Sequence, residues 1–337
     1  NCHFHAGVEH CVGGAKSSRS CAGTKRDYNI PLRIGALFIV LLTSALAIFS
    51  PVLLTRFTRL STSGVIFIIV KNFGAGVVIS TALIHLMTHA TLLFASECLG
   101  HLQYEGVVAA FVMAGIFLSF LIEYAGWRLV AHRQQKHSVS ESSSTKSAPS
   151  SGKAADEEIA VAVMEKDDGS SIFVANRRKL DAISVLVMEC GILFHSIFIG
   201  ITCVVTPDSG FGQIFAVIIF HQMFEGLALA ARIADADISF KVKMICCSGF
   251  MFITPLGMGI GIGVLNQFNG NDPTTIWTIG IFDSVSAGIL LWVGLVELLA
   301  SSWLWGDMRR ASGLRVFAGL GALVAGLVIM SVLGKWA

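Results

Sequence analysis

Charge is what this chain has least of. Only 14% of its 337 residues are charged, where a soluble domain carries about a quarter. That deficit argues against a soluble fold, because there is too little polar surface to cover one. The formal net charge of +2 singles out no partner, and no nucleic-acid partner is expected. A GxxxxGK[ST] phosphate loop is missing, so ATP is not expected as a direct energy source. HExxH is missing too, which removes the commonest helical zinc-hydrolase signature. No charged-then-apolar leader precedes the first apolar block, so that block is expected to act as its own targeting signal. The first residue is Asn rather than Met, which leaves room for residues upstream.

What is present is apolar sequence, 54% of the chain with 34 glycines. It falls into blocks of roughly 20 residues, the length of helix that crosses ~30 Å of hydrocarbon. The blocks cover 33–54, 65–90, 106–130, 181–205, 211–232, 243–265, 275–300 and 313–334. One such block could be a buried helix of a soluble core, but eight together leave no polar exterior. The chain therefore reads as an all-α membrane protein, an eight-helix bundle and multi-pass, with the lipid bilayer as its solvent.

Lys and Arg collect in alternate connections, as they do in cytoplasmic loops. Arg56 and Arg59 follow the first span, and Arg177, Arg178 and Lys179 close the third connection. Arg232, Lys241 and Lys243 mark the fifth, and Arg309, Arg310 and Arg315 the seventh. The connections between them, "SECLGHLQYEG", "TPDSG" and "NQFNGNDPTT", have none. Both termini are thus expected to be extracellular, against the local bias of Lys16, Arg19, Lys25 and Arg26 in the N-terminal tail.

The organisation expected is a tail over 1–32, spans one to three over 33–130, a cytoplasmic loop over 131–180 and spans four to eight over 181–337. The loop contains "SVSESSSTKSAPSSGKAADEE", too poor in large apolar residues to offset ordering entropy, and is expected to be disordered. It reads as a linker, and equally as a target for ubiquitination or phosphorylation machinery. The tail, "NCHFHAGVEHCVGGAKSSRSC", gathers Cys2, His3, His5, His10 and Cys11. Thiolates and imidazoles suit zinc or copper, although the spacing matches no closed zinc module. Disulfide bonding among Cys2, Cys11 and Cys21, with Cys98 as a further partner, is the alternative, and an inert tail is a third. Cys190, Cys203, Cys246 and Cys247 read as small packing residues.

An ionisable residue at the bilayer centre costs about 2.5–3.5 kcal/mol on insertion scales, so its presence there calls for a function. In "FHQMFEGLALAAR", His221 and Glu225 stand i, i+4 on one helix face. The preceding span, "MECGILFHSIFIG", carries Glu189, His195 and Ser196. At ~1.5 Å per residue, His195 lies about 21 Å above Asp181 and His221 about 16 Å below Gly210, so the two meet near mid-membrane. Two imidazoles and a carboxylate there form a candidate site for zinc or iron(II), with a helix-locking hydrogen-bond network as the plainer reading. His85 and His89, again i, i+4, fall toward the external end of the second span, and Glu123 and Glu297 toward cytoplasmic ends. That order sketches a cation path, although Glu123 and Glu297 read equally as snorkelling interface residues. In "MFITPLGMGIGIGVL", Thr254-Pro255 and four glycines permit either tight packing or a flexible element.

"HSIFIG" at 195–200 and "HQMFEG" at 221–226 resemble the paired fourth- and fifth-helix signatures of the zinc/iron permease (ZIP) family. "GAGVVISTALIHL" at 74–86 and "GILLWVGLVELLA" at 288–300 resemble its second and seventh helices, and the Cys/His-rich front end its fungal zinc-uptake branch. The resemblance covers all eight helices and fails only in the long loop. It implies an inverted-repeat bundle in which helices one, four, five and six move as a unit. It also implies import of a divalent metal, chiefly zinc as transported substrate, with iron(II), manganese and cadmium as further candidates, across the plasma membrane. By the same resemblance His195, His221 and Glu225 are the primary ligands, Ser196 and Gln222 assist, and His85 and His89 line the outer path. A homodimer is a candidate assembly. Some prokaryotic members place carboxylates where this chain has Ile199, Gln222 and Thr254, so one metal per site is expected. The loop's histidine repeat is reduced to His132 and His137. Two readings from other classes stand beside the transporter: an intramembrane zinc hydrolase, for which no spare general base is evident, and a metal-sensing receptor.

Overall fold

The structure is a computed structural model. It describes residues 2–5, 8–11, 21, 28–58, 64–100, 102–144 and 157–335, without the side chains of 2–5, 8–11, 130–144, 157–179 and 307. A short antiparallel hairpin, β1 (Cys2–His5) with β2 (Val8–Cys11), sets Cys2 opposite Cys11 and His3 opposite His10. The other secondary structure described is helical, and eight helices are long and apolar enough to cross a membrane.

They are α1 (Ile30–Phe57), α2 (Val65–Phe94), α3 (Val107–Ser144), α4 (Glu157–Val205), α5 (Asp208–Asp235), α6 (Phe240–Val264), α7 (Pro273–Trp292) and α8 (Gly313–Leu333). Caps fix several starts. Asn29 accepts from the Leu32 amide, Ser239 from Val242, and Asp272 from Thr274 and Thr275. Each satisfies donors that a helix N-terminus leaves open. Two helices carry a π-helical stretch, Thr81–Leu86 within α2 and Val293–Ala300 continuing α7. Such stretches re-aim side chains and concentrate at functional sites.

α3 continues to Ser144 and α4 begins at Glu157, while 145–156 lies outside the described residues. Seven of the ten residues of "EEIAVAVMEK", its Glu, Ala, Met and Lys, are good helix formers, which favours helix at the start of α4.

The most extensive helix contacts are α2 with α8, α3 with α7, α4 with α6 and α1 with α5, followed by α1 with α6. Exchanging α1–α3 for α6–α8, and α4 for α5, maps this set onto itself, as an inverted repeat requires. The π segments in α2 and α7 are exchanged by the same operation. Glycines make the closest pairings. A Cβ on Gly76 would lie 2.3 Å from the Leu323 carbonyl oxygen of α8, and one on Gly288 would lie 2.1 Å from that of Val112 on α3. One on Gly257 would lie 2.3 Å from that of Ile197 on α4. Without water to drive helices together, such close backbone approach holds membrane helices in contact. The result is two groups, α1/α4/α5/α6 and α2/α3/α7/α8, which meet where α2 packs on α5 and α4 on α7.

The two ends of the bundle differ. At one, Cys21 is disulfide-bonded to Cys98, Asn269 donates to the Cys21 carbonyl at 3.1 Å, and the Tyr28 hydroxyl donates to Val205. There Arg33, fully buried, reaches Asp208 at 2.5 Å and the Val204 and Thr206 carbonyls at 2.7 Å each, pinning α1 to the α4–α5 turn. Of the options left open for the tail, Cys21 takes the disulfide. The other end is basic. Lys71 pairs with Asp235 at 2.6 Å, Lys243 donates to the Ala234 carbonyl, and Arg56 lies over Phe240.

Gly257→Ala should force α4 and α6 apart and cost about 1–3 kcal/mol. Thermal unfolding in detergent should show a lowered midpoint. Gly259→Ala, where a Cβ meets nothing within 4 Å, should leave it unchanged.

Candidate metal site

His195 on α4 and His221 on α5 do converge, as their matched depths required: their ring centroids are 5.6 Å apart. His85 joins them from the π segment of α2, at 5.0 Å from His195 and 5.1 Å from His221. One nitrogen from each of the three lies within 4.8 Å of the other two, and all three side chains are buried. His85 was expected on the outer path; in the structure it belongs to the central cluster. A tetrahedral zinc at about 2.0–2.1 Å from nitrogen sets neighbouring donors about 3.3–3.4 Å apart. The three nitrogens are therefore close enough for small side-chain adjustments to bring them round one ion.

Glu225 is one turn along α5, 1% exposed, with Oε1 3.2 Å from His221 Nε2. Neither His221 nitrogen makes an aligned hydrogen bond, nor do Glu225 Oε2, either nitrogen of His195, or Ser196 Oγ. Buried polar atoms are almost always satisfied, because an unpaired one costs about 1–3 kcal/mol. Several in one place, all of them donors that zinc and iron(II) accept, fit a cation better than a helix lock. The Gln222 amide nitrogen donates to Thr254 Oγ1 on α6, while its Oε1 is buried without a partner. Ser196 is fully buried beside His195. Glu189 is not brought to the cluster; it lies deeper in α4, its Oε1 facing Gly249 on α6.

Toward the disulfide end, His89 Nδ1 lies 2.6 Å from Asp283 Oδ2 on α7, and Asp283 Oδ1 is 3.6 Å from His195 Nδ1. Asp283 is a residue the sequence reading missed. Its signal was available: it stands ten residues into α7, about 15 Å deep at ~1.5 Å per residue, level with His221. Toward the basic end a cavity of about 750 Å³ is lined by Lys71, Glu123, Asp181, Arg232, Asp235 and Glu297 among others. Arg232 donates to Ser184 at 2.7 Å and lies 3.5 Å from Asp181 and 3.8 Å from Glu297. Glu123 accepts from the Trp292 indole at 2.9 Å. Both acids face this cavity, which is not where lipid-facing snorkelling residues would point.

A polytopic bundle of paired helical repeats, with buried imidazoles and a carboxylate converging at mid-span, defines a class: a multi-pass membrane protein with a buried polar cluster that could hold a metal ion. The chain belongs to the ZIP zinc transporter family, which it matches over residues 30–334. It is 46% identical to zinc-regulated transporter 1 of Candida albicans over 338 residues, covering all of this chain and 68% of that one. It is 27% identical to zinc-regulated transporter 1 of Saccharomyces cerevisiae, over 94% of this chain and 90% of that one. Fe(2+) transport protein 1 of Arabidopsis thaliana is 27% identical over 96% and 90%. Members are transporters rather than enzymes, and the hydrolase reading falls with that.

If the cluster exists to hold metal, removing a ligand should not weaken the metal-free protein. His195→Leu should unfold at the wild-type temperature or above without metal, because two orphaned nitrogens are gone. Zinc should raise the wild-type midpoint by several degrees and leave the variant unmoved. A helix lock would show the reverse, a destabilised variant that still responds to zinc.

Proposed function

We propose that the protein imports zinc into the cytoplasm through the central cluster by alternating access. The observation that carries this reading is the convergence, at one buried point, of His195, His221 and Glu225 with His85, and the lack of hydrogen-bond partners for both nitrogens of His195, both of His221 and Oε2 of Glu225. A dication entering hydrocarbon must exchange its water shell for protein donors. Three or four nitrogen and oxygen ligands can do that, and an unclosed shell lets the ion leave again.

The ligands are divided between the two helix groups. His195, His221 and Glu225 ride on α4 and α5, and His85 on α2. Displacing α1/α4/α5/α6 against α2/α3/α7/α8 would draw His85 out of the shell and leave three ligands, loosening the ion as the site turns inward. α4 and α6, joined at Gly200 and Gly257 with backbone in near contact, would travel together. The disulfide end is assigned outside, where oxidation holds Cys21–Cys98, and the basic end inside. Both termini then face out. In this arrangement the wide cavity is on the cytoplasmic side, where it would receive the released ion.

Zinc is placed ahead of iron(II) because the relative at 46% identity is named for zinc and the Fe(2+) transport protein is at 27%. The same family likeness supports the plasma membrane as location. The Ser-rich stretch within 131–180 remains the proposed target for phosphorylation or ubiquitination, and a homodimer the proposed assembly.

Initial-rate zinc-65 uptake should be saturable in metal-starved cells expressing the wild type. It should fall at least tenfold in His195→Ala and in Glu225→Ala at matched surface expression, with excess unlabelled iron(II), manganese and cadmium ranking the competitors. Wild-type uptake in both variants would remove the cluster from the path.

A further inference from the structure

Asp283 has no part in the ligand set above, and the reason for a carboxylate at its position lies in what surrounds it. It is 2% exposed, at the middle of α7, where an unneeded charge would be costly. Its two oxygens address two imidazoles on two other helices: Oδ2 is 2.6 Å from His89 Nδ1 on α2, and Oδ1 is 3.6 Å from His195 Nδ1 on α4. The second distance is too long for a hydrogen bond. Beyond these contacts, His89 Nε2 is buried with no partner, as are both nitrogens of His195.

A carboxylate serving only to orient His89 would need one oxygen and no open nitrogen nearby. Here three donor groups from three helices border one cavity of about 30 Å³, together with Thr202, five apolar side chains and His85, which joins it to the central cluster; it has room for one water or one ion. A second cavity of about 170 Å³ shares Phe198 and Ile279 with it and is edged by Thr274, Thr275 and Thr278 at the outer end of α7. A mainly apolar cavity with three threonines at its edge thus lies beside the carboxylate and the two imidazoles.

We propose that Asp283, His89 and His195 form an outer staging site for a divalent cation, distinct from the central cluster and sharing His195 with it. The proposal rests on the central cluster being the transport site. Carboxylate oxygen with imidazole nitrogen suits zinc or iron(II) and is a poor match for calcium or magnesium, which favour all-oxygen shells. An ion held here keeps His195 as a ligand while it exchanges Asp283 and His89 for His221 and Glu225, so it is never stripped of all its ligands at once. The site also straddles the two groups, Asp283 and His89 on one and His195 on the other. Movement of α4 splits it, and an ion that has passed to His221 and Glu225 has no staging site left to return to.

The test uses the full chain purified in detergent with zinc-65 as probe, in a background where His221→Ala and Glu225→Ala have removed the central cluster. That background should still bind zinc, and adding Asp283→Asn should lower the affinity at least tenfold; any zinc held by the tail is common to both proteins and cancels in the comparison. His89→Gln tests the same site from α2 should Asp283→Asn fail to fold, and the same loss is expected. Equal affinity with and without Asp283→Asn overturns the proposal. So does a loss of uptake by Asp283→Asn in the otherwise wild-type protein with zinc binding in the background unchanged, which would make Asp283 a positioning residue for the two histidines. Zinc-65 uptake by the background protein reports separately on the central reading: if it equals wild type, the transport site is elsewhere, whatever Asp283 does.

Discussion

The cost of taking a dication out of water organises this molecule. A charged group buried without compensation in a medium of low dielectric is penalised by tens of kcal/mol in the idealised limit, and lipid has no donors to offer in return. Every polar side chain that the bundle carries into the bilayer repeats that problem on a smaller scale. His195, His221, Glu225 and Asp283 are all buried, and several of their atoms lack a partner. In the proposed reading they are tolerable together because each is a donor that a metal ion would satisfy, and because the ion would in turn neutralise the carboxylates.

The packing follows from the need to hold such groups at one depth on helices that can still move. Glycine contacts such as Gly200 with α6 and Gly76 with α8 bring backbones close enough to make each group of four cohere. Arg33 adds a buried ionic clamp to the outer corner of the α1/α4/α5/α6 group. Across the boundary between the groups contacts are of both kinds: a Cβ on Gly74 of α2 would lie 2.8 Å from the Ala228 Cα of α5, while elsewhere side chains meet. Gly191 of α4 faces Ile289 and Leu290 of α7, and His195 faces Asp283. Strong cohesion within groups and a polar seam between them is the arrangement that a rocking or sliding mechanism requires.

Much of this was legible in the sequence, and the limits are physical. The eight spans could be read because hydrocarbon thickness fixes helix length. His195 and His221 could be paired because rise per residue converts position into depth. His85 was expected nearer the external end than the structure has it, because a residue count along α2 does not say where that helix sits along the bundle; its packing on α5 brings His85 level with His195 and His221. Asp283 obeyed the same depth rule as His221 and was overlooked for want of a neighbour in sequence, since its partners lie on α2 and α4, far along the chain.

The most direct single measurement is the position of the ion. Diffraction data from crystals of the zinc-loaded protein, collected at the zinc absorption edge, would place it by anomalous scattering. A peak enclosed by His195, His221 and Glu225, with His85 alongside, is the expected result. A map with no peak there and a zinc bound instead beside Glu189 and the cysteines of α4 and α6 would contradict it, and the path through the bundle would have to be redrawn.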